Sequence, residues 1–275
     1  MSNSLIIPAC PEVLLKLTAV MKEPEPDIDQ VSNIVNADVG LYSTLLATVN
    51  SPALGLRQTI ESVSQAIMLL GPKSTFTLLH SAIMRNSLEQ HGRLDGFWDS
   101  ANEIAGISAR LAAKLSNVNQ DKAYSIGMLH DIGVPVMIAN YPHYQDFLLT
   151  SNHTSLQELS SIEIEKFSVD HFTMGYKLAK EWHLPSTVSK IILLQPLFER
   201  AFSNTIQVHE NLLNYLAILM MAKDISSEYH NFWHLPEDEE VPKHLTPILD
   251  FLGMHKTEYM DIKTGIIEDI EDKHS

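Results

Sequence analysis

The sequence predicts an all-α protein made of two packed helical subdomains. Apolar residues recur at helical spacing along most of the chain, and the strict alternation typical of β-strands is almost absent. Glycine and proline, the residues that most weaken a helix interior, number only 11 and 13 among 275 residues. Because 45% of the residues are hydrophobic and 19% are charged, the chain can bury a large core. We therefore expect one subdomain over 1–91, a second over 92–235 and a C-terminal segment over 236–275.

Five short helices with small connections account for the first subdomain. Each helix is preceded or followed by a residue that caps or interrupts a helix. In chain order these residues are Pro11, Pro24, Asp27 or Asp29, Asp38, Ser62, Gly71 and Pro72. The last of them suits the first turn of a helix, where its missing N–H has no intrahelical partner to lose.

Longer helices are predicted in the second subdomain and in the C-terminal segment. Asp121 is the expected cap of a helix that carries Met128 and Leu129. The other helices are expected over 98–115, 141–152, 155–166, 170–181, 185–194, 208–224, 244–252 and 256–270. The run Glu237–Glu240 lies between prolines, which is typical of a solvated acidic loop.

Charge and cysteine content restrict the function and the compartment. The net charge of −15 gives little field to attract nucleic-acid phosphates, so no nucleic-acid partner is expected. A single cysteine, Cys10, cannot form an intramolecular disulfide, which fits a reducing cytoplasm. The N-terminus lacks the features of a signal peptide, and the longest uncharged apolar run, over 215–222, is far short of the ~20 residues that span a membrane. We expect a cytoplasmic protein without a membrane partner.

His130 and Asp131 are the most informative polar pair. They occur in Gly127-Met-Leu-His-Asp-Ile-Gly133, near the predicted end of a helix, so both side chains can face one cavity. An imidazole and a carboxylate can ligate a divalent cation, but a working centre needs further ligands and an open position for water. Alternatively, Asp131 accepts hydrogen bonds that fix the helix junction. The spacing alone favours this structural interpretation.

The segment Leu129–Gly133 resembles the core motif of the HD superfamily of metal-dependent phosphohydrolases. Other motifs resemble one branch of it, the HDOD domains, which are HD-related output domains of bacterial signalling proteins. These motifs are Pro8-Ala-Cys-Pro11, Asp38 with Leu41, Leu45-Leu46 and Asn50-Ser51, Ile60-Glu-Ser62 with Ala66-Ile67 and Leu70-Gly71, and Trp182-His-Leu-Pro185. The resemblance implies that the second subdomain is similar to the HD helical core. Val39 stands where the family usually has proline, and we expect it only to loosen a helix start.

The resemblance also implies a set of metal ligands, of which this chain has an incomplete copy. The corresponding positions are Asp99 on the preceding helix, the pair His130 and Asp131, the downstream His171 and, within one residue of register, the late Asp224. A further pair of histidines common in the family falls on Leu194 and Gln195, and an apolar side chain at the first position removes a ligand. We therefore interpret the set as vestigial and expect a buried His-Asp-His hydrogen-bond cluster.

Other candidate sites are weaker. His230 and His234 have the i, i+4 spacing of helical zinc ligands, but no H-E-x-x-H motif is present and aromatic residues surround them, which favours packing. The pair Gly175-Tyr176 is followed by Lys177 and is not the Gly-Tyr-Pro motif of cyclic-di-GMP phosphodiesterases. No nucleotide-binding glycine loop or serine nucleophile motif occurs.

Two functions follow from the resemblance and the incomplete ligand set. The first is a non-catalytic regulatory HDOD protein of bacterial signal transduction, which binds a protein partner or a small signalling ligand and needs no cofactor. The second is a metal-dependent phosphohydrolase acting on a nucleotide or phosphate ester, which would need Mn²⁺, Mg²⁺, Fe or Zn²⁺. The acidic net charge disfavours anionic phosphate substrates, and the missing ligands disfavour them more.

Overall fold

The computed structural model describes residues 7–23, 25–51, 54, 56, 58–88, 94, 96–115, 118–150, 155–235 and 241–274. Within these ranges the regular elements are helices and no β-strand occurs, so the predicted all-α class is confirmed. Contacts divide the chain into an N-terminal unit, Pro8–Gln90, and a C-terminal unit that contains His91–Ser275. The helices expected in 236–275 therefore belong to the C-terminal unit.

Five α-helices form the described part of the N-terminal unit: α1 (Glu12–Met21), α2 (Ile28–Asn36), α3 (Val39–Val49), α4 (Val63–Leu70) and α5 (Pro72–Leu88). Their apolar faces meet in a core that includes Leu17, Leu45 and Leu79, all fully buried. Helix α3 packs against α5, and α4 packs against α2, α3 and α5. Because its apolar residues recur at helical spacing, each helix has one apolar side, and that side faces the core.

Short polar side chains begin three of these helices. The carboxylate of Asp27 accepts a hydrogen bond from the Asp29 backbone N–H at 2.9 Å, so Asp27 is the cap of α2. Asp38 accepts from the backbone N–H of Leu41 at 3.0 Å and caps α3. The hydroxyl of Ser62 caps α4 in the same way. Val39 is 80% exposed and does not prevent the cap at Asp38, so the departure from the family pattern is tolerated.

Asn50 joins the end of α3 to the far end of the connection that leads to α4. Its side-chain amide donates to the carbonyl of Ile60 at 2.8 Å, and its amide oxygen accepts from the Ile60 backbone N–H at 2.7 Å. One side chain thereby satisfies both main-chain groups of a residue ten positions away. This pair of hydrogen bonds gives the Asn-Ser sequence at 50–51 a structural role.

Twelve helices form the described part of the C-terminal unit: α6 (Phe97–Lys114), α7 (Gln120–Leu129), α8 (Gly133–Asn140), α9 (Tyr144–Thr150), α10 (Leu156–Phe167), α11 (His171–Glu181), α12 (Ser186–Leu194), α13 (Phe198–Phe202), α14 (Glu210–Ile225), α15 (Ser227–Trp233), α16 (Thr246–Leu252) and α17 (Lys256–His274). The sequence does not predict helices α8, α13 and α15. The predicted cap of α7 at Asp121 is also wrong, because the side chain of Asn119 accepts the hydrogen bond from the Lys122 backbone N–H. Asp121 instead lies in the first turn, where its charge suits the positive end of the helix.

Two glycines allow α8 and α11 to approach closely. A β-carbon at Gly133 would lie 1.7 Å from the carbonyl oxygen of His171 and 2.6 Å from the backbone nitrogen of Gly175. A β-carbon at Gly175 would lie 3.1 Å from the backbone nitrogen of Gly133. The two backbones are therefore in contact, and this contact places the first turn of α11 beside the turn that contains His130 and Asp131.

The long helices α6 and α14 complete the C-terminal unit. Helix α6 packs along α7 and also contacts α14 and α15, while α12 contacts α7 and α14. Helix α14 is buried on nearly all sides from Tyr215 to Ile225. In the ranges that the structure describes, no helix is both long and apolar enough to cross a membrane.

Candidate functional site

The turn between α7 and α8 places His130 and Asp131 inside the C-terminal unit. Both side chains are buried. The Nδ1 atom of His130 lies 2.6 Å from the carbonyl oxygen of Gly127, and because a carbonyl can only accept, Nδ1 carries the proton. The other ring nitrogen, Nε2, lies 3.1 Å from the Asp131 carboxylate without forming a hydrogen bond.

His171 opens α11 and meets the same carboxylate from the other side. Asp170 caps the helix by accepting from the Thr173 backbone N–H at 2.8 Å. His171 Nδ1 lies 2.8 Å from both carboxylate oxygens of Glu163 on α10, and its backbone N–H donates to Glu163 at 3.0 Å. Its Nε2 lies 3.7 Å from Asp131. Glu163 is completely buried and also accepts a hydrogen bond from the Tyr144 hydroxyl.

Lys223, on α14, also contacts Asp131. Its ammonium nitrogen Nζ lies 3.5 Å from Asp131 Oδ1 and 2.6 Å from the side-chain oxygen of Gln195. The amide nitrogen of Gln195 donates to the main-chain carbonyl of His130 at 2.7 Å. Trp233 Nε1 donates to the second carboxylate oxygen of Asp131 at 3.3 Å. We call the six residues His130, Asp131, Glu163, His171, Gln195 and Lys223 the buried ion cluster.

The contacts within the buried ion cluster shift its pKa values in different directions. Burial lowers the pKa of His130, and the charge of Lys223 lowers it further, so His130 is neutral. Burial would also lower the pKa of His171, but the Glu163 and Asp131 carboxylates raise it to about 9. Burial lowers the pKa of Lys223 to about 8 against the pull of Asp131. Although burial would raise the pKa of Asp131, the neighbouring ammonium of Lys223 and the contact with His171 hold it well below its usual range.

The structure brings together three of the five candidate ligands and leaves two outside. His130, Asp131 and His171 meet as described. Asp99 is exposed on the first turn of α6. The carboxylate of Asp224 accepts hydrogen bonds from the Tyr259 hydroxyl and from Lys263 at 3.0 Å, so it holds α17 against α14.

Other positions named from the sequence have distinct places in the structure. Lys223, the residue before Asp224, is the member of α14 that reaches Asp131. Leu194 is only partly buried, whereas the next residue, Gln195, is fully buried within the cluster. His230 lies in α15, but His234 follows the end of that helix with a left-handed backbone, so the two do not share the face of one helix.

The donors that remain do not fit a metal ion. Among the described residues, no three His, Cys, Asp or Glu side chains are grouped closely enough to hold one. Nε2 of His130 and Nε2 of His171 are buried, lack hydrogen bonds and face Asp131, which is the arrangement of a ligand pair. However, an ammonium group already pairs with that carboxylate, and a second cation there would be repelled. The three side chains therefore lie together, but neither Nε2 hydrogen-bonds to Asp131, whose carboxylate lies beside Lys223 instead.

A family comparison agrees with the motifs and the helical fold. The model of the HDOD domain family matches residues 7–196, which is more than half of the chain. The chain belongs to the HDOD family. The matched segment contains His130, Asp131, Glu163, His171 and Gln195, whereas Lys223 lies after its end.

Three solved structures have a fold similar to that of this chain. A protein of Marinobacter aquaeolei VT8, provisionally named for signal transduction, has a TM-score of 0.74 and 18% identity, with 98% of this chain and 58% of that chain covered. An HDOD domain protein of unknown function from Geobacter sulfurreducens has a TM-score of 0.71 and 19% identity, with 98% and 91% covered. A protein of Shewanella amazonensis SB2B, provisionally named a phosphohydrolase, has a TM-score of 0.66 and 20% identity, with 95% and 90% covered.

A relative known from its sequence is much longer than this chain. An uncharacterised protein of Treponema pallidum (strain Nichols) is 24% identical in an alignment of 226 residues, and the match covers 75% of this chain but 38% of that protein. The HDOD chain therefore spans about 38% of the length of the curated relative that it matches.

Sequence reasoning missed two charged members of the buried ion cluster. Lys223 follows the uncharged apolar run over 215–222, and a lysine on a helix that is apolar on all sides must be buried with a partner. That pattern could have identified it. Glu163 stands between Ile162 and Ile164, in a helix that carries several other charged residues, and has no comparable signal in the sequence.

Proposed function

We propose that this HDOD chain is a non-catalytic regulatory module of bacterial signal transduction, which acts by binding a protein partner or a small signalling ligand. One observation carries the proposal. The ammonium of Lys223 is paired with the Asp131 carboxylate, the group on which metal ligation at this turn would depend. A hydrolase of the HD type needs a metal ion and a bound water at that carboxylate.

The charges around Asp131 support the same proposal. Asp99 is exposed and Asp224 is engaged with α17, so neither supplies the negative charge that a divalent cation needs. The overall charge of −15 also disfavours the approach of an anionic phosphate substrate. The HDOD resemblance implies an output role, and one structural neighbour is provisionally named for signal transduction.

The second candidate function is a metal-dependent phosphohydrolase. Nε2 of His130 and Nε2 of His171 favour it, because both are buried and face Asp131 without hydrogen bonds. A structural neighbour provisionally named a phosphohydrolase is a further reason to test it. The two candidates differ in one requirement, because only the hydrolase needs a metal at Asp131.

Metal analysis combined with a hydrolysis assay separates the two functions. The full chain is purified without chelator, its metal content is measured by mass spectrometry, and nucleotides and phosphate esters are offered with Mn²⁺ or Mg²⁺. We expect no stoichiometric metal and no turnover above the background of the Asp131→Asn variant. Asp99→Asn is the matched control, because Asp99 is exposed and outside the cluster. Stoichiometric metal together with turnover that Asp131→Asn abolishes and Asp99→Asn retains would establish the hydrolase instead.

A further inference from the structure

Lys223 is a charged residue that follows a buried, apolar stretch of α14. Only 5% of its surface is exposed, and the residues before it on α14, Met220, Met221 and Ala222, are also buried. An ammonium ion in such surroundings loses its hydration and is tolerated only when protein groups replace the lost water. The position of Lys223 therefore requires partners in the interior.

Three electron-rich groups surround the ammonium of Lys223. The Asp131 carboxylate lies 3.5 Å away, the Gln195 side-chain oxygen lies 2.6 Å away, and the centroid of the Tyr229 ring lies 4.7 Å away. These contacts are a charge pair, a charge-assisted hydrogen bond and a cation–π contact. Because the Gln195 amide nitrogen donates to the His130 carbonyl, its oxygen is turned toward Lys223.

Each carboxylate of the buried ion cluster has a nitrogen-bearing side chain from another helix beside it. His171 lies 2.8 Å from Glu163, and Lys223 lies 3.5 Å from Asp131. Glu163 is thus engaged by His171, and the ammonium that pairs with Asp131 is that of Lys223.

We infer that the Lys223 ammonium is the resident cation of this centre and neutralises Asp131 in the role that a bound metal ion would otherwise fill. The inference rests on the proposed function in one respect, namely that Asp131 is free of metal. It goes beyond that function because it assigns the stabilising charge to a single side chain. It also explains how the His-Asp turn stays folded around a buried carboxylate without an external cation.

A double-mutant cycle tests the inference. Thermal unfolding of the full chain is measured after chelator treatment for the wild type, Lys223→Met, Asp131→Asn and the double variant. Methionine retains the length and apolar stem of lysine but removes the charge. We expect Lys223→Met to lower the melting temperature by about 10 °C, because Asp131 is left as an uncompensated buried charge. The double variant is expected to recover at least half of that loss, because neither charge remains.

Lys263 supplies the matched control for the cycle. Its ammonium lies 3.0 Å from the carboxylate of Asp224, which is the residue that follows Lys223 in the sequence. The side chain of Lys263 is mostly buried. Lys263→Met combined with Asp131→Asn is expected to give additive shifts, because Lys263 pairs with Asp224 and not with Asp131.

The cycle has a decisive negative result. If the Lys223→Met and Asp131→Asn shifts add, the two residues do not interact and the inference is overturned. If Lys223→Met does not fold, a folded double variant supports the inference and an unfolded double variant overturns it. Additivity would overturn the inference without demonstrating metal binding or turnover, which the metal analysis and the hydrolysis assay measure separately. Turnover by the wild-type protein would refute the proposed function without changing the measured coupling.

Discussion

In the described residues of the N-terminal unit, the buried polar side chains are the hydroxyls of Ser32 and Thr75, and no charged side chain is buried. The C-terminal unit buries Asp131, Glu163, His171 and Lys223 in contact with one another. Both units are helical and both contribute to the HDOD match. The N-terminal unit has local caps and an apolar core, whereas the C-terminal unit adds a long-range ion network.

The comparison shows that the sequence motifs of this family correspond to two kinds of interaction. Asp38, Asn50 and Ser62 form hydrogen bonds within ten residues of themselves. Asp131 contacts Lys223 and Trp233, which are about a hundred residues away along the chain. A change in a local contact should therefore have a modest effect, while a change around Asp131 should disturb several helices.

The largest expected effect is at the glycine contact beside the cluster. Gly133→Ala places a β-carbon 1.7 Å from the His171 carbonyl oxygen, so α8 and α11 must separate. We expect a loss of more than about 4 kcal/mol in the free energy of unfolding, measured by urea titration followed by circular dichroism. Gly265→Ala on α17 is the control, because no atom lies within 4 Å of the added carbon. It should leave the protein as stable or slightly more stable. Equal effects of the two substitutions would refute the close contact.

The next effect separates the two histidines of the cluster. His171→Ala leaves the completely buried Glu163 carboxylate without its cation, whereas His130→Ala removes a neutral ring that donates one hydrogen bond. We expect both variants to be less stable, with His171→Ala worse by about 2 kcal/mol in urea unfolding. The two substitutions delete rings of the same size from buried positions, so cavity effects largely cancel. If the two losses are equal, His171 does not balance Glu163.

A smaller effect is expected at the local clamp of the N-terminal unit. Asn50→Ala removes both hydrogen bonds to the main chain of Ile60 at an exposed position. We expect a loss of about 1 kcal/mol in urea unfolding. Asn33→Ala, at an exposed position inside α2, is the matched control and should cost nothing, because alanine favours helix more than asparagine does. A loss at Asn33 as large as that at Asn50 would contradict the role of the clamp.

The smallest effect is the pH dependence of stability. Neighbouring carboxylates overcome burial and raise the pKa of His171 to about 9, compared with ~6.5 in the unfolded chain. The folded chain thus keeps a proton that the unfolded chain loses, so stability decreases as the pH rises through this range. Burial lowers the pKa of Lys223 to about 8, and its contribution has the opposite sign only above that value.

His80 and Lys223, whose pKa values burial lowers, contribute with the opposite sign near the two ends of the interval from pH 6.5 to 8, so His171 is assessed from the difference between two proteins. We expect the melting temperature of the wild type, relative to that of His171→Gln, to decrease as the pH rises across this interval, as measured by differential scanning fluorimetry. Identical pH profiles for the two proteins would show that His171 does not hold the additional proton.

Much of the fold could be predicted from the sequence because its signals are local. The caps at Asp27, Asp38 and Ser62 act over two or three residues, and the structure confirms them. The cap of α7 was misplaced at Asp121 because two cap-forming residues, Asn119 and Asp121, stand close together at the helix start. Helix α8 escaped prediction because it begins at a glycine and contains a proline, which local propensity disfavours.

The candidate site could be predicted only in part. The sequence places His130 and Asp131 in one turn and His171 opposite them through the family motif. The partner that determines the charge at Asp131 comes from α14, 92 residues later, beyond the matched family segment. Such a pair depends on how α7, α12 and α14 pack together, and helical periodicity does not specify which lysine meets which aspartate.

A crystal structure of the full chain soaked in Mn²⁺, with data collected at the manganese absorption edge, tests the central claim most directly. We expect Lys223 in the soaked crystal to remain in contact with Asp131 and Gln195, and we expect no anomalous peak near the His130-Asp131 turn. A strong anomalous peak between His130, Asp131 and His171, with the Lys223 side chain displaced from Asp131, would contradict it.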